Sequence, residues 1–397
     1  MKILHISDEH IRERDIDEIA VILNFIVETA KEEQPDLIVS AGDLFDSQDV
    51  RMGSRSAIAA VGFISALADI APVAVIIGTP SHDGHAPEIL KFAKGNCPIK
   101  VASVPEQIYF QGETFYNQGD PELSSAPEAI ITLIPTPTKQ FFQTTAGIET
   151  SDKEIGQAMS SLFAGFGAQA AAYPRVPHIL ATHLNVSGCR LANGQIRTGM
   201  DIEVSVDQMD MGNFDLGCLG HIHANQCLGE KYFYSGPIYS TKIDEDGPMG
   251  FWIHDLFEIP DEPIHSRFFE TPCKRSVRIK DDYTAGGVGE LRDGSDNVKG
   301  LHVRHEVSIW QDEVNGIDKA KIEQYFLGLG ALSVDIRIIA VPRETIRAAA
   351  VLEAGTLKDE FREMSLLRGE EIDPEILVLA EKLENLPGEE LLKEVAA

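Results

Sequence analysis

The sequence predicts an α/β fold in which parallel strands are covered by helices. Through the first ninety residues, short apolar runs alternate with stretches of helical periodicity, and each run stops at a polar residue or a glycine. With 397 residues, 43% hydrophobic and 24% charged, the chain is also long enough to bury two or three cores. Sheets of this kind collect ligands at the carboxyl ends of their strands. The residues at those ends are therefore the ones to read for function.

Taken in order, Ile3 to Ile6 is the first strand, and Ile19, Ile22, Leu23, Ile26 and Ala30 mark one face of the first helix. Leu37-Ile38-Val39 is a buried strand running into Gly42-Asp43. A second helix carries Ile58, Val61, Ile64 and Leu67, and leads to the strand Val73 to Ile77, which ends at Gly78. Val104 to Pro127, polar and rich in Gly, Pro and Ser, reads as a surface excursion. Order returns with the strand Ala129 to Ile134, a helix around Ile155 to Phe166, and strands at His178 to His183 and Phe214 to Leu219. Tyr232 to Ser240 and Met249 to His254 close this first domain, residues 1–258.

Ile259-Pro260-Asp261-Glu262-Pro263 reads as a linker, because proline removes donors and fixes the backbone. A small α+β domain, 262–342, follows, with strands at Ser276 to Ile279, His302 to Ile309 and Val334 to Ala340 and a helix at Ile317 to Leu329. Gly286 to Gly300 between its first strands reads as a mobile loop. The last segment, 343–397, is a helical tail. Leu357, Phe361, Met364 and Leu367 share one face; after Gly369, Asp373-Pro374-Glu375 opens a second helix bearing Ile376, Leu379, Ala380, Leu383 and Leu386.

Composition excludes several classes. No apolar run approaches the roughly eighteen residues a membrane crossing needs, so no membrane association is expected. Met1 to Asp8 reads as a strand rather than a signal segment. Five cysteines without CxxC spacing argue against a disulfide framework or a zinc knuckle and fit a reducing cytoplasm. The 63 acidic against 34 basic residues give a net charge of −29, which weighs against a chain that grips polyanions by itself.

Chemistry concentrates in short clusters at strand ends: Asp8-Glu9-His10, Gly42-Asp43-Leu44-Phe45-Asp46, Ser81-His82-Asp83, and His183 with Gly220-His221-Ile222-His223. Carboxylates suit hard divalent cations, and imidazoles suit manganese, iron and zinc. In an extended segment residues two apart point the same way, so Asp8 with His10 and His221 with His223 can each converge. One carboxylate such as Asp43 can bridge two ions that together clamp a phosphoryl group. The isolated His5, His178, His254, His265, His302 and His305 read as ordinary core or surface residues, and Gly42 and Gly220 as turn formers.

These clusters, in this order, resemble the calcineurin-like metallophosphoesterases, whose signature runs D-x-H, GD-x-x-D/H, GN-H-D/E, a lone His, and GH-x-H. Ile3 to His10, Ala41 to Asp46, Leu219 to His223 and Tyr234-Ser235-Gly236-Pro237 are similar to the SbcD-type DNA double-strand-break repair nuclease subunit. The resemblance implies a metallophosphoesterase β-sandwich flanked by helices, with a capping, DNA-recognising domain at 262–342 and a partner-binding tail. It implies two Mn²⁺ ions, with Mg²⁺ as a substitute. Asp8, His10 and His223 would hold one ion, Asp43 both, and His183 and His221 the second. His82 would be the acid assisting the leaving oxygen, a role that suits histidine near neutral pH. Asp46 would orient a neighbouring ligand.

One departure stands out: Ser81 occupies the slot where the family has a metal-binding Asn, so a weaker second site is expected, with water, Asp83 or His85 as alternatives. The resemblance further implies DNA as substrate and a coiled-coil, SMC-like ATPase of the SbcC type as partner. It also implies a homodimer within a heterotetramer. Leu357, Phe361, Met364, Leu379 and Leu383 would dock the ATPase by helix-in-groove packing. The chain has no GxxxxGK[ST], so ATP hydrolysis would belong to that partner. Arg12, Arg14, Arg51, Arg55 and Lys242 lie near the motif loops, as DNA contacts or as solvated surface charge. Two other readings keep parts of this picture: a small-molecule cyclic phosphodiesterase with the same metal core, and a catalytically weakened scaffold for the ATPase.

Overall fold

The computed structural model describes residues 1–120, 122–123, 125–146, 152–192, 202–242, 245, 247–259, 262–284, 298–343, 351 and 353–385. Two sheets dominate. The first runs Glu262–Glu270, Gly250–Ile259, Lys2–Ile6, Leu37–Ser40, Val73–Ile76, Ile99–Ala102; the last four strands are mutually parallel and the first two antiparallel. The second runs Gln226–Leu228, Tyr232–Tyr234, Leu216–Gly220, His178–His183, Ala129–Ile134, Glu106–Gln111, Thr114–Asn117, with a parallel centre and antiparallel edges.

The two sheets pack face to face. Ile3, Leu37, Val39 and Ile76 from the first meet Ile131, Leu133, Ile179, Ala181 and Cys218 from the second. Alternate residues point outward: Leu4, Ile6, Ile38 and Val75 meet the helices Ile16–Glu33 and Arg55–Ala68, while Leu180, Tyr232 and Tyr234 join a core with the helix Asp152–Ala170. Burial on both faces explains why the parallel strands read as unbroken apolar runs. The expected mixed α/β sandwich flanked by helices is the observed fold.

The first helix buries every residue of its expected face. The second is rotated from expectation: Ile58 is 63% exposed, and Ser56, Ala60, Phe63, Ile64 and Leu67 form the packed face. Its start is fixed by Ser54, whose side chain accepts the Ala57 N–H at 3.2 Å.

Two expected loops are strands. Within Val104 to Pro127, Glu106–Gln111 and Thr114–Asn117 form a hairpin about Gly112-Glu113, both at positive φ, which suits a two-residue turn. Ile108, Tyr109 and Phe110 are buried there, enough to hold an edge hairpin. The stretch expected to be a linker is also flanked by paired strands, Ile259 opposite Glu262, and Glu262–Glu270 belongs to the first sheet. Pro263 is tolerated because that strand is an edge. Residues 260–261 lie outside the described residues.

The described residues divide into two compact units: one takes Met1–Ile279 with Arg292–His305 and Lys319–Ile336, the other Lys280–Leu291, Glu306–Asp318 and Arg337–Ala397. A three-stranded sheet orders Ser276–Asp282, His302–Trp310, Ser333–Val341, as expected of a small α+β region with the helix Lys319–Gly328. The loop expected at Gly286 to Gly300 falls outside the described residues except for 298–300.

In the second unit, the helices Leu357–Arg368 and Pro374–Asn385 form an antiparallel pair. The Leu357 N–H donates to Glu384 at 3.2 Å, and Lys358 pairs with Glu381. Gly369 ends the first helix in the left-handed conformation. Leu357, Phe361 and Leu383 are half-buried, whereas Met364, Leu366, Leu367, Ile376, Val378 and Leu379 are exposed. Leu386 lies outside the described residues. No helix among the described residues is long and apolar enough to cross a membrane.

Candidate metal centre

The loops after Lys2–Ile6, Leu37–Ser40 and Val73–Ile76 meet those after His178–His183 and Leu216–Gly220 at one cleft of about 690 Å³. Backbone bonds zip the first two loops together: Asp8 N–H to Gly42 O at 2.9 Å, His10 N–H to Asp43 O at 3.0 Å, and Ile11 N–H to Leu44 O at 2.9 Å. Asp83 ties the second loop to the third. Its carboxylate accepts the N–H groups of Gly78 at 2.7 Å, Phe45 at 2.9 Å and Asp43 at 3.0 Å. Asp83 is thus spent on backbone and is not a stand-in metal ligand. The second sheet joins through the His221 N–H, which donates to Asp8 Oδ1 at 3.0 Å.

Asp8, His10, Asp43 and His221 all have positive φ, at 54°, 42°, 57° and 93°. Such backbone costs about 1–3 kcal/mol per residue and persists where surrounding contacts enforce it. It also corrects the expected route to convergence. Asp8 and His10 do meet, but through left-handed loop backbone rather than the alternation of an extended strand. Two glycines are needed for the fit. Gly42 has φ +90° and a Cβ there would lie 2.6 Å from His183 Nδ1, while a Cβ at Gly220 would lie 2.2 Å from Ala41 O.

Three donor groups result in the cleft, Asp8–His10–His223, Asp8–Asp43–His183 and His10–Asp46–His82, each with ligand atoms within 4.8 Å of one another. His10 Nε2 and His223 Nε2 are 3.1 Å apart. Donors at right angles on one ion are about 3 Å apart for metal–nitrogen bonds of about 2.1 Å. His183 donates Nδ1–H to Ala41 O at 2.7 Å, leaving Nε2 3.2 Å from Asp43 Oδ2 without a hydrogen-bonding geometry. A buried nitrogen left unbonded beside a carboxylate, as His183 Nε2 is beside Asp43, is what a cation would complete, and with the donor groups above the residues fit a pair of divalent ions.

Burial, then the neighbouring His223, holds His10 well below the usual histidine range, so it is neutral with a lone pair to give. Burial opposes the charge of Asp43, but the cationic His183 outweighs it and keeps the carboxylate ionised. Burial opposes the charge of His183 too, yet Asp43 pushes it up to about 10, so an ion held at this pair would take the place of the His183 Nε2 proton. Asp83 is pushed up to about 7 by burial and by the charge of Asp43. Glu9 is pushed up to about 8 by burial, although Ser40 Oγ donates to it at 2.7 Å.

His82 lines the cleft and its Nδ1 donates to the Asp46 carbonyl at 2.8 Å. The lone pair of the ring is then on Nε2. The Asp46 carboxylate lies 3.4 Å from Arg12 Nη1 and 3.9 Å from His10 Nδ1, and with His10 and His82 it forms one of the donor groups. His221 stands edge-on to His183, ring centroids 5.3 Å apart, on the cleft wall, but none of the donor groups includes it.

Ser81 is exposed, and its carbonyl accepts the Gln48 N–H at 3.2 Å. The residue on Asp43 is instead Thr79, which gives Asp43 Oδ1 its N–H at 2.5 Å and its hydroxyl at 2.9 Å. Position 79 follows Gly78 directly, and that adjacency was the signal in the sequence. His85 is exposed and belongs to none of the donor groups.

A further cluster, His5–Cys218–His254, is buried between the sheets. Its imidazoles are already chained: His254 to Ser266 Oγ at 2.7 Å and to His5 at 3.4 Å, and His5 to Leu219 O at 3.2 Å. That is the ordinary core role expected of them.

Residues 1–225 match the family of calcineurin-like phosphoesterases. Among solved structures, a dimetal phosphatase from Danio rerio is similar, with 11% identity over 68% of this chain and 97% of that chain and a TM-score of 0.44.

Proposed function

The chain belongs to the calcineurin-like phosphoesterase family, and on that footing we propose that it is a DNA phosphodiesterase, the nuclease subunit of an SbcD-type end-processing complex. It is a metal-dependent phosphoesterase by family; the substrate, the metal and the partner are the proposal. The observation that carries the reading is the seating of Tyr234-Ser235-Gly236-Pro237, a stretch similar to the SbcD type, against the donor groups. Ser235 Oγ lies 2.7 Å from Ser7 Oγ, which in turn bonds Asp8 Oδ2.

In this reading Asp8, His10 and His223 would hold one Mn²⁺, His183 and His221 the other, and Asp43 would serve both. Bound there, the ions supply Lewis acidity and lower the pKa of water enough to give a nucleophile near neutral pH. Thr79 and His183 fix Asp43, and Asp46 O fixes the His82 ring so that Nε2 can pass a proton to the departing sugar oxygen. The exposed apolar residues of the helix pair Leu357–Arg368 and Pro374–Asn385 support docking of a coiled-coil ATPase, and the complex would be a heterotetramer built on a homodimer in the cytoplasm.

The test is Mn²⁺-dependent cleavage of end-labelled duplex and single-stranded DNA by the chain alone, by the chain with its ATPase and ATP, and by His82→Ala. Cleavage is expected in the first two, with His82→Ala slower by about 10²–10⁴-fold at unchanged metal affinity. Hydrolysis of bis-p-nitrophenyl phosphate with no DNA cleavage under any condition would favour the small-phosphodiester reading. No activity on either substrate would favour the scaffold.

A further inference from the structure

A carboxylate that belongs to none of the motifs closes on the donor groups. Glu245 is buried, and its Oε1 lies 2.5 Å from His223 Nδ1. The same carboxylate accepts the Thr241 N–H at 2.6 Å, the Thr241 hydroxyl at 2.8 Å and the Lys242 N–H at 3.2 Å. An ionised carboxylate only accepts, so His223 carries its proton on Nδ1 and presents the Nε2 lone pair. That nitrogen lies 3.1 Å from His10 Nε2 and 3.9 Å from Asp8 Oδ1. The segment has a second hold on the same group, since Tyr239 donates its hydroxyl to the His10 carbonyl at 2.6 Å.

We propose that Glu245 is the positioning residue of this centre: by fixing the tautomer and aim of His223, it sets affinity for the ion held with Asp8 and His10 and leaves the ion at Asp43 and His183 little affected. The inference rests on the dimetal reading but not on the identity of the substrate. Carboxylate partners of metal-bound histidines fix ring orientation and raise ligand basicity, and losing one costs about 10–100-fold in metal affinity.

The experiment is a Mn²⁺ titration of the full chain, following free Mn²⁺ by electron paramagnetic resonance, with the visible spectrum of the Co²⁺-loaded protein as a second readout. The wild type is expected to show two classes of site. Glu245→Ala should weaken one class by about 10–100-fold, spare the other and shift the Co²⁺ bands. Glu245→Gln, whose amide oxygen still accepts from Nδ1–H, should recover most of the affinity and the bands. Should Glu245→Ala not fold, Glu245→Asp carries the same expectation, because it withdraws the carboxylate by one methylene. A folded Glu245→Ala or Glu245→Asp with wild-type affinity at both classes overturns the inference, and so does equal weakening of both. Glu245→Gln as weak as Glu245→Ala overturns it as well. A wild-type chain that binds no Mn²⁺ overturns the dimetal reading and this inference with it, whereas normal binding without DNA cleavage touches only the substrate.

Discussion

Removing the Asp83 side chain should loosen the first unit more than any loss at the exposed rim. The carboxylate holds three buried N–H groups, at 2.7, 2.9 and 3.0 Å, from two different loops. Each N–H left unpaired costs about 1–3 kcal/mol, so Asp83→Ala should lose at least about 3 kcal/mol. In Asp83→Asn the oxygen can keep Asp43 and Gly78 while the amide nitrogen faces the Phe45 N–H, so the loss should be about 1–3 kcal/mol. The comparison belongs at pH 6, below the value of about 7 to which burial and Asp43 push this carboxyl, where repulsion between the two acids is mostly absent. Two compact units make a single unfolding transition unsafe. The two tryptophans lie one in each, so urea unfolding in a Trp310→Phe background lets Trp252 report on the first alone. A loss under about 1 kcal/mol in Asp83→Ala, the range of surface changes, or Asn worse than Ala, would refute the accounting.

Two further predictions concern the same loops. Thr79→Val keeps the N–H bond to Asp43 but removes the hydroxyl, worth about 1 kcal/mol; Mn²⁺ affinity should fall about five- to tenfold with folding intact, and unchanged calorimetric affinity would remove Thr79 from the site. Glu9 has a folded-state value of about 8, above its ordinary 4.5, so the folded form binds more protons between the two. Stability of the metal-free chain in EDTA should therefore be greatest below pH 4.5 as regards this group and fall as pH rises through 8, by up to about 5 kcal/mol. Glu9→Gln should flatten that fall between pH 5 and 9, leaving the smaller one from Asp83. Equal slopes in urea unfolding of the two proteins would contradict the assignment.

Much of the sandwich was legible because parallel strands covered on both faces are unbroken apolar runs, and Leu37-Ile38-Val39 or Val73 to Ile77 can be little else. The donor residues were legible because they sit where such strands stop. What failed had local causes. Aligning the third motif on His82-Asp83 put Ser81 in the ligand slot, whereas backbone geometry puts Thr79 on Asp43. The proline-rich stretch at 259–263 looked like a linker because sequence does not reveal that Glu262–Glu270 is an edge strand, where a missing N–H is harmless. Glu245 carried no signal at all, since its meaning lies in a bond to a residue 22 positions away.

The charge of −29 gains meaning from where the cations have gone. Arg12, at the cleft wall, is bound at 2.5 Å to Asp15 and at 3.4 Å to both Asp46 and the Thr241 carbonyl, and lies over the Tyr239 ring. Arg55 pairs with Asp17 and Arg14 with Asp15. Three of the five basic residues near the motif loops therefore have acidic partners within this chain. On the proposed DNA reading, little of their charge is left to displace counterions from a duplex, which is where non-specific affinity arises. Two divalent ions held by these residues would cancel only four charges, yet on the proposed reading they would act at the scissile phosphate itself, where local charge governs. The same chain would then hold one phosphate firmly and the flanking duplex poorly. On that same reading the chain alone would cleave DNA weakly and in a salt-sensitive way, and a DNA-gripping partner would supply the duplex affinity it lacks.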